Sequence, residues 1–575
     1  MVLLQCHGIS HSVGTKSLFT DLSFAINEGD KIGLVGHNGA GKSTLISLLA
    51  GTEPDSGELS YRQDLRLETV EQFLSDDLLD DTLLQSLVRK LPLDEQDFSA
   101  YKAEKLLTSL GFREGEFQYR VADLSGGQQN RLMFARAVIN EPTLILFDEP
   151  TNHLDMKTLV FFENYLKAMQ AAFLIISHDR SFLDAVTDRT FVLRDERLYE
   201  FAMPYSEAKS ALEAQDEAAA EKLKQEEKTI KQLTASAKRL ATWGKVYDNE
   251  DLAAKAKSME KRIEKLEADK TFVSRGSGLK LQLDVKESRA NRALQVEQHK
   301  VYSPDQNELF FIEDFYLRPG DRVALLGLNG AGKSTFIREL VKAYSDQATG
   351  SIRFNPQCEM GYYDQELEQL DASDDLLSWL RKACHRGTEA DFKAGLIHAG
   401  FHYQDHEKRV PVLSGGEKAR LMFLSIRINQ PNFLILDEPT NHIDIQGKEE
   451  LEAQILDSNA TVLITSHDRT FVDNIATRFV LIESGVLREL NSPEEFYQLL
   501  LQDTAATGKT KPTEQNTVAN VDASSEDELL QQLIALEDKL AADLARKPKF
   551  QKPARQAEWQ QQIEQLQARL DNLGD

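Results

Sequence analysis

Cysteine is scarce in this chain: Cys6, Cys358 and Cys384 lie far apart, in no paired metal-ligand spacing. That pattern excludes a disulfide framework and fits a reducing compartment, so a cytoplasmic protein is expected. Long apolar runs are missing too. The longest read as strands, such as Phe173 to Ile176 and Val462 to Ile464, far short of the roughly 18 residues of a membrane-spanning helix. The opening residues, MVLLQCHGIS, lack the basic start, apolar centre and small-residue cleavage site of a secretory signal. Net positive charge is also absent, since 67 basic against 93 acidic residues leave a formal charge of −26. A polyanion repels phosphate backbones on average, so any contact with nucleic acid must come from a local basic surface.

What the chain does have is length and repetition. Its 575 residues exceed a single hydrophobic core, and 28% charged composition suggests extra solvated helix. The stretch Gly36-His37-Asn38-Gly39-Ala40-Gly41-Lys42-Ser43-Thr44 recurs as Gly327-Leu328-Asn329-Gly330-Ala331-Gly332-Lys333-Ser334-Thr335. Leu124-Ser125-Gly126-Gly127 recurs as Leu413-Ser414-Gly415-Gly416, and the run from Asp148 to Asp155 recurs from Asp437 to Asp444. Ser177-His178-Asp179-Arg180 recurs as Ser466-His467-Asp468-Arg469. The offset is 291 residues at the lysines and 289 at the three later motifs, so the chain carries a duplicated domain.

Each copy reads as a parallel α/β domain. Lys31 to Val35 is a short apolar strand feeding a glycine-rich turn and then a helical run, Ser43 to Ala50. Leu144 to Phe147 and Phe173 to Ile176 read as buried strands that end at Asp148 and Ser177, the edge where such sheets bind ligands. In the glycine-rich loops, successive N–H groups turn inward on phosphate oxygens, and the following helix N-terminus adds its dipole. Lys42 and Lys333 are expected to reach the β- and γ-phosphates, with Ser43 and Ser334 ligating Mg²⁺. Asp148 and Asp437 are placed to hold Mg²⁺ through water, and Glu149 and Glu438 to polarise the attacking water. A bland reading makes each Asp-Glu a helix cap before Pro150 or Pro439, but strand, Asp, Glu and Pro recur together. His178 and His467 are expected to contact the γ-phosphate. Gln72 and Gln365 are weaker candidates for the metal and the water, with an ordinary surface glutamine as the competitor.

P-loop, Gln, Leu-Ser-Gly-Gly, Asp-Glu and His in this order resemble the ATP-binding cassette superfamily. The resemblance covers residues 1–205 and 286–503. It implies that each ATP is shared between the halves. Site one would combine Lys42, Ser43, Asp148, Glu149 and His178 with Ser414, Gly415 and Gly416. Site two would combine Lys333, Ser334, Asp437, Glu438 and His467 with Ser125, Gly126 and Gly127. ATP would then hold the halves together and hydrolysis would release them. The adenine-stacking aromatic of that family is matched by Tyr302 in the second copy, whereas the comparable place in the first holds Val13.

Residues 206–285 change character. Apolar residues Ile230, Leu233 and Leu240, then Met259, Ile263 and Leu266, keep helical spacing on either side of Thr242 to Asn249, which predicts an antiparallel helical hairpin with its turn there. From Lys228 to Tyr247 this linker carries Lys228, Lys231, Lys238, Arg239 and Lys245 and no acidic residue, and Trp243 and Tyr247 near the tip can stack on bases. The rival reading is a solvated helical face with two aromatics stapling the turn. Residues 504–524 read as a flexible tether and 525–575 as a C-terminal coiled-coil hairpin, with leucines stepping by fours and threes. Its basic connector (Lys547, Lys549, Lys552, Arg555) makes DNA a candidate partner there, and a solubilised coiled coil competes equally.

Two cassettes, the repeated Glu-Pro-Thr-Asn-His motif and a charged linker are similar to the ABC-F family. That resemblance implies a cytoplasmic ATP hydrolase using ATP and Mg²⁺, which binds the ribosomal E site in its closed form. Its linker would reach rRNA and peptidyl-tRNA. It further implies a monomer working as an intramolecular pair, with no membrane subunit. An arm inserted in the first cassette of some members is vestigial or absent here, because Gln72 to Ser125 spans 53 residues against 49 from Gln365 to Ser414. The rivals are a transporter ATPase subunit and a DNA-maintenance ATPase acting on branched DNA. Transporter cassettes usually lack so long a basic linker. Structural-maintenance proteins split one cassette with their coiled coil, and excision-repair relatives carry paired cysteines, neither of which this chain does.

Overall fold

The computed structural model describes residues 1–14, 16–70, 75–91, 100–124, 126–151, 154–246, 254–255, 257–259, 261–263, 292–347, 350–367, 369–370, 374–441 and 443–507. The tether from residue 508, the C-terminal hairpin, most of the returning linker arm, and Gln72, Ser125 and Tyr247 lie outside them, while residues 504–507, expected to be tether, end the helix Glu494–Thr507.

In each copy the apolar runs become parallel strands because both of their faces are covered. The first copy orders them Leu67–Val70, Leu144–Asp148, Ala172–Ile176, Lys31–Val35 and Arg189–Arg194, with Arg197–Phe201 antiparallel at the edge. A separate antiparallel lobe is built from Lys16–Asn27, Val2–Val13 and Ser56–Tyr61. The second copy repeats this order, and there the lobe joins the main sheet through a parallel contact of Phe311 with Val486. The same seam exists in the first copy as one backbone bond. Thr20 N–H donates to the Glu196 carbonyl at 3.0 Å, as Phe311 N–H donates to that of Gly485 at 2.9 Å.

The halves meet about a pseudo-twofold axis. Ser181 Oγ and Thr470 Oγ1, duplicates separated by 289 residues, lie 2.5 Å apart. Arg180 pairs with Glu452 and Arg469 with Glu163, each pair the duplicate of the other. Apolar residues are exchanged in the same way: Ile445 joins the core of the first half, and its duplicate Met156 joins a cluster of the second half with Leu326, Val472, Phe496 and Leu500. An isologous contact of this kind is expected of a duplicated domain closing on itself.

The linker begins as part of the first half. Its helix spans Tyr205–Val246, and Tyr205, Ala208 and Leu212 are buried in the first core. The duplicate of this start is the helix Glu494–Thr507, whose Phe496 and Leu500 are buried likewise. Arg194 holds Asp216 through two bonds of 2.7 Å, and Lys209 Nζ reaches Glu449 of the second half at 2.6 Å. The helix continues through Thr242, Trp243 and Gly244 to Val246, so it outlasts the turn expected from Thr242. A single glycine costs a helix only about 1 kcal/mol, and Thr242 spends its hydroxyl on the Lys238 carbonyl at 2.8 Å. Among the described residues no helix is long and apolar enough to cross a membrane.

Candidate nucleotide sites

Each phosphate loop follows the end of a central strand. At Gly36 an added Cβ would sit 2.4 Å from the Leu193 carbonyl oxygen, so only glycine fits. Gly41 and Gly332 both take φ of 99° and open their helices with no side-chain cap. The first N–H groups of the Lys42–Leu49 and Lys333–Ser345 helices are thus left for an anion. Lys42 Nζ donates to the carbonyls of Gly36 (2.8 Å) and His37 (3.2 Å), and Lys333 repeats this on Gly327 and Leu328 at the same distances. Burial pushes both ammonium groups below their ordinary value. The carboxylates of Glu149, Asp444 and Asp148 pull Lys42 back up, and those of Glu438, Asp437 and Asp155 act on Lys333. Each lysine therefore feels one aspartate of the opposite half.

Ser43 Oγ donates to Asp148 Oδ1 at 3.2 Å, and Thr465 Oγ1 donates to Asp437 Oδ1 at 2.5 Å. Burial pushes both aspartates above the usual carboxylate range, partly offset by bonds from Ser43 to Asp148 and from Thr465 and Ser334 to Asp437. A hydroxyl beside a desolvated carboxylate is a donor set that fits Mg²⁺. Gln365 lines the same cleft as Asp437.

Glu149 and Glu438 sit one residue past their strands at φ of 50° and 48°, a region that costs a non-glycine residue energy and is found at functional sites. Backbone bonds to Ile176 and Thr465 fix the turn, at 3.1 and 3.0 Å. The imidazole of His178 lies 3.1 Å from Glu149, and that of His467 lies 3.5 Å from Glu438. Burial lowers the His178 pKa, partly offset by Glu149, so the ring is neutral near pH 7. Glu438 Oε1, the oxygen that faces the His467 ring, is buried and accepts no hydrogen bond among the described residues.

One cleft of about 530 Å³ brings together Asn329, Gly330, Gly332, Lys333, Ser334, Thr335, Gln365, Asp437, Glu438 and His467. Asn38, Glu149 and His178 of the first half line it too, with Gly415 and Gly416 of the second signature. Gly126 and Gly127 are not among its walls. Ser414 caps its helix, its Oγ accepting the Glu417 N–H at 3.4 Å and donating to the Glu417 carboxylate at 2.8 Å. Tyr302 is 44% exposed and also outside the lining, to which its neighbours Ser303 and Pro304 belong. In the linker helix, Arg239 donates to the Ser236 hydroxyl at 3.4 Å, and Trp243 is 53% exposed.

Sequence reasoning gave no role to several residues inside the repeated motifs. Asp444 Oδ2 accepts the Asn38 N–H across the halves at 2.9 Å while its Oδ1 caps the next helix. Thr151 with Ser177, and Thr440 with Ser466, brace the histidine turns at 2.8 and 2.9 Å. Their recurrence in both copies was the available signal.

Two such sites on duplicated α/β halves define a tandem ATP-binding cassette ATPase, an enzyme that hydrolyses ATP. The ABC transporter family model matches residues 19–152 and 313–441. The protein YdiF of Bacillus subtilis (strain 168) is 30% identical over 540 residues, which cover 86% of this chain and 82% of that protein. YheS of Escherichia coli (strain K12) is 30% identical, with 85% and 80% covered. ABC transporter F family member 5 of Arabidopsis thaliana is 29% identical, with 86% and 77% covered. The chain belongs to the ABC-F family. Among solved structures, the archaeal ribosome recycling factor aABCE1, crystallised with the ribosomal stalk protein aP1, gives a TM-score of 0.59 at 18% identity. That match covers 91% of this chain and 98% of that one, and at such identity it speaks for the fold.

Proposed function

We propose that this ATPase works on the ribosome in the cytoplasm, binding the E site when ATP has closed its halves and adjusting translation through its linker. The observation that carries this reading is the Tyr205–Val246 helix. It is rooted in the first half, tied to the second by Lys209, and extends an acid-free cationic stretch that ends beside exposed Trp243. The net charge of −26 makes such a local basic element necessary for contact with RNA. The solved neighbours are described as a ribosome recycling factor with a stalk protein and as ribosome-bound ABCE1 with Pelota, and they support the same direction.

In each site the lysine and helix N-terminus would hold the β- and γ-phosphates, and the opposite signature would cap them. Mg²⁺ beside Ser43 and Asp148, or Ser334 and Asp437, would offset phosphate charge. Glu149 or Glu438 accepts a proton as water attacks the γ-phosphorus and ADP leaves, while the histidine contacts the γ-phosphate. Lys238, Arg239, Trp243, Lys245 and Tyr247 would face rRNA or peptidyl-tRNA.

Replacing Glu149 and Glu438 together by Gln should leave ATP binding intact and slow turnover by roughly 10²-fold or more. The trapped protein should co-sediment with ribosomes and inhibit translation in an extract, and raised salt should release it. Wild-type turnover by that variant would remove the base assignment. Deleting Trp243 to Asp248 should keep ATPase activity and abolish the effect on translation. An unchanged effect would remove the linker from the mechanism.

A further inference from the structure

The two phosphate loops differ at one residue, His37 against Leu328, but the strands packed on them differ more. An added Cβ at Gly41 would meet Leu18 and Phe19 at 3.2 Å, and one at Gly332 would meet Leu309 and Phe310 at 2.9 and 3.0 Å. Both pairs of contacts are 291 residues apart, as are Lys42 and Lys333. The strands therefore lie on their loops in one register, and Lys16 of the first half corresponds to Asn307 of the second.

Lys16 opens the strand Lys16–Asn27, and its neighbour Ser17 ties that end to the main sheet by donating to Glu196 at 2.9 Å. Alternate residues of a strand share a face, so the Lys16 side chain leaves on the same side as Leu18, towards the loop. Its Nζ donates to the Gly39 carbonyl at 3.2 Å, and a Cβ built on Gly39 would lie 4.0 Å from it. Lys16 is exposed. An ammonium has three donors, and a neutral carbonyl on one of them does not offset its charge. Asn307 is a turn residue instead. Its N–H donates to Ser303 Oγ at 3.2 Å, its carbonyl accepts the Ser303 N–H at 2.8 Å, and its side-chain amide is uncharged.

A cation over Gly39 has a use. The N–H groups of such a loop cradle the α- and β-phosphates while the loop lysine reaches the β and γ, so the Lys16 ammonium faces the diphosphate. The buried Lys42 is outnumbered by the carboxylates of Glu149, Asp444 and Asp148, and a second cation favours an incoming polyphosphate. We propose that Lys16 is a phosphate-binding residue of the first site, pairing with the α/β-diphosphate of bound nucleotide, and that the second site, with Asn307 in its place, holds nucleotide without this cation. This rests on the two loops being the nucleotide-binding loops.

The test photolabels full-length protein with azido-ADP, its azide on the base, and quantifies label in residues 1–205 and 286–503 separately by mass spectrometry. ADP lacks the γ-phosphate that the opposite signature would cap, so each half reports on its own loop. Lys16→Met should raise the half-saturating concentration for the first half about tenfold, the effect of one lost charge-assisted hydrogen bond. The second half should move by less than about twofold. Lys16→Arg should restore most of the affinity. Raised salt should narrow the gap between Lys16→Met and wild type, because the lost contact is ionic and near the surface. No shift in the first half, an equal shift in both halves, or a gap that salt leaves unchanged would overturn the proposal. Failure of the reading beneath it looks different: label would then persist in the first half of the Lys42→Met variant.

Discussion

Asp179 turns the crowding at the interface into a measurable quantity. Its carboxyl titrates at about 6, above the ordinary 3.8, because it is buried and faces Asp468. A folded-state value raised above the unfolded one means that the acid binds its proton more tightly when the protein is folded. The stability it contributes is complete below about pH 4 and is lost as pH rises through 6. Asp179→Asn removes that ionisation and keeps an oxygen for the Phe182 N–H, now accepted at 2.9 Å. The variant should therefore melt above the wild type at pH 7.5, with the difference shrinking to nothing as pH falls to about 4. Thermal unfolding across that range checks it. A constant offset at every pH would mean that lost packing, not charge, governs the position.

The linker helix makes a prediction of its own, because its base is packed in the first core whereas no residue from Glu213 to Ser236 is buried. Tyr205, Ala208 and Leu212 are buried, whereas Lys222, Lys224 and Lys231 lie further along the same helix. Amide exchange should be slow from Ala208 to Asp216 and much faster from Lys222 to Ser236, since exposed helical hydrogen bonds open locally. Uniform protection along the helix would show that its distal part is covered. This helix also marks what can be read from sequence. Its basic stretch and apolar spacing were legible, but its end was not, because Thr242 to Gly244 carry turn-forming residue types that a helix still tolerates. The phosphate loops and the Asp-Glu strand ends were legible because glycines, lysine and carboxylates at that spacing admit few other uses. The antiparallel lobe of Val2–Val13 and Lys16–Asn27 was not, since its register shifts blur the alternation that marks a strand.

At the scale of the molecule the halves are linked in one chain, so their encounter is intramolecular and independent of protein concentration. What fixes the encounter is charge across a nearly dry seam. Arg180 and Glu452 have side chains 10% and 9% exposed, and inverting either one leaves like charges buried together. Arg180→Glu or Glu452→Arg alone should destabilise the docked state by about 3 kcal/mol or more and depress ATP turnover accordingly. The double exchange restores opposite charges at the same separation and should recover a large part of both. Recovery will be incomplete, because Arg180 also pairs with Glu449 at 3.5 Å and Glu452 also accepts from Asn474 at 2.9 Å. The duplicate pair, Arg469 with Glu163, should behave alike. A double exchange that folds but recovers nothing would mean that turnover does not depend on this face. The two phosphate sites would then have to be completed by some other arrangement of the halves.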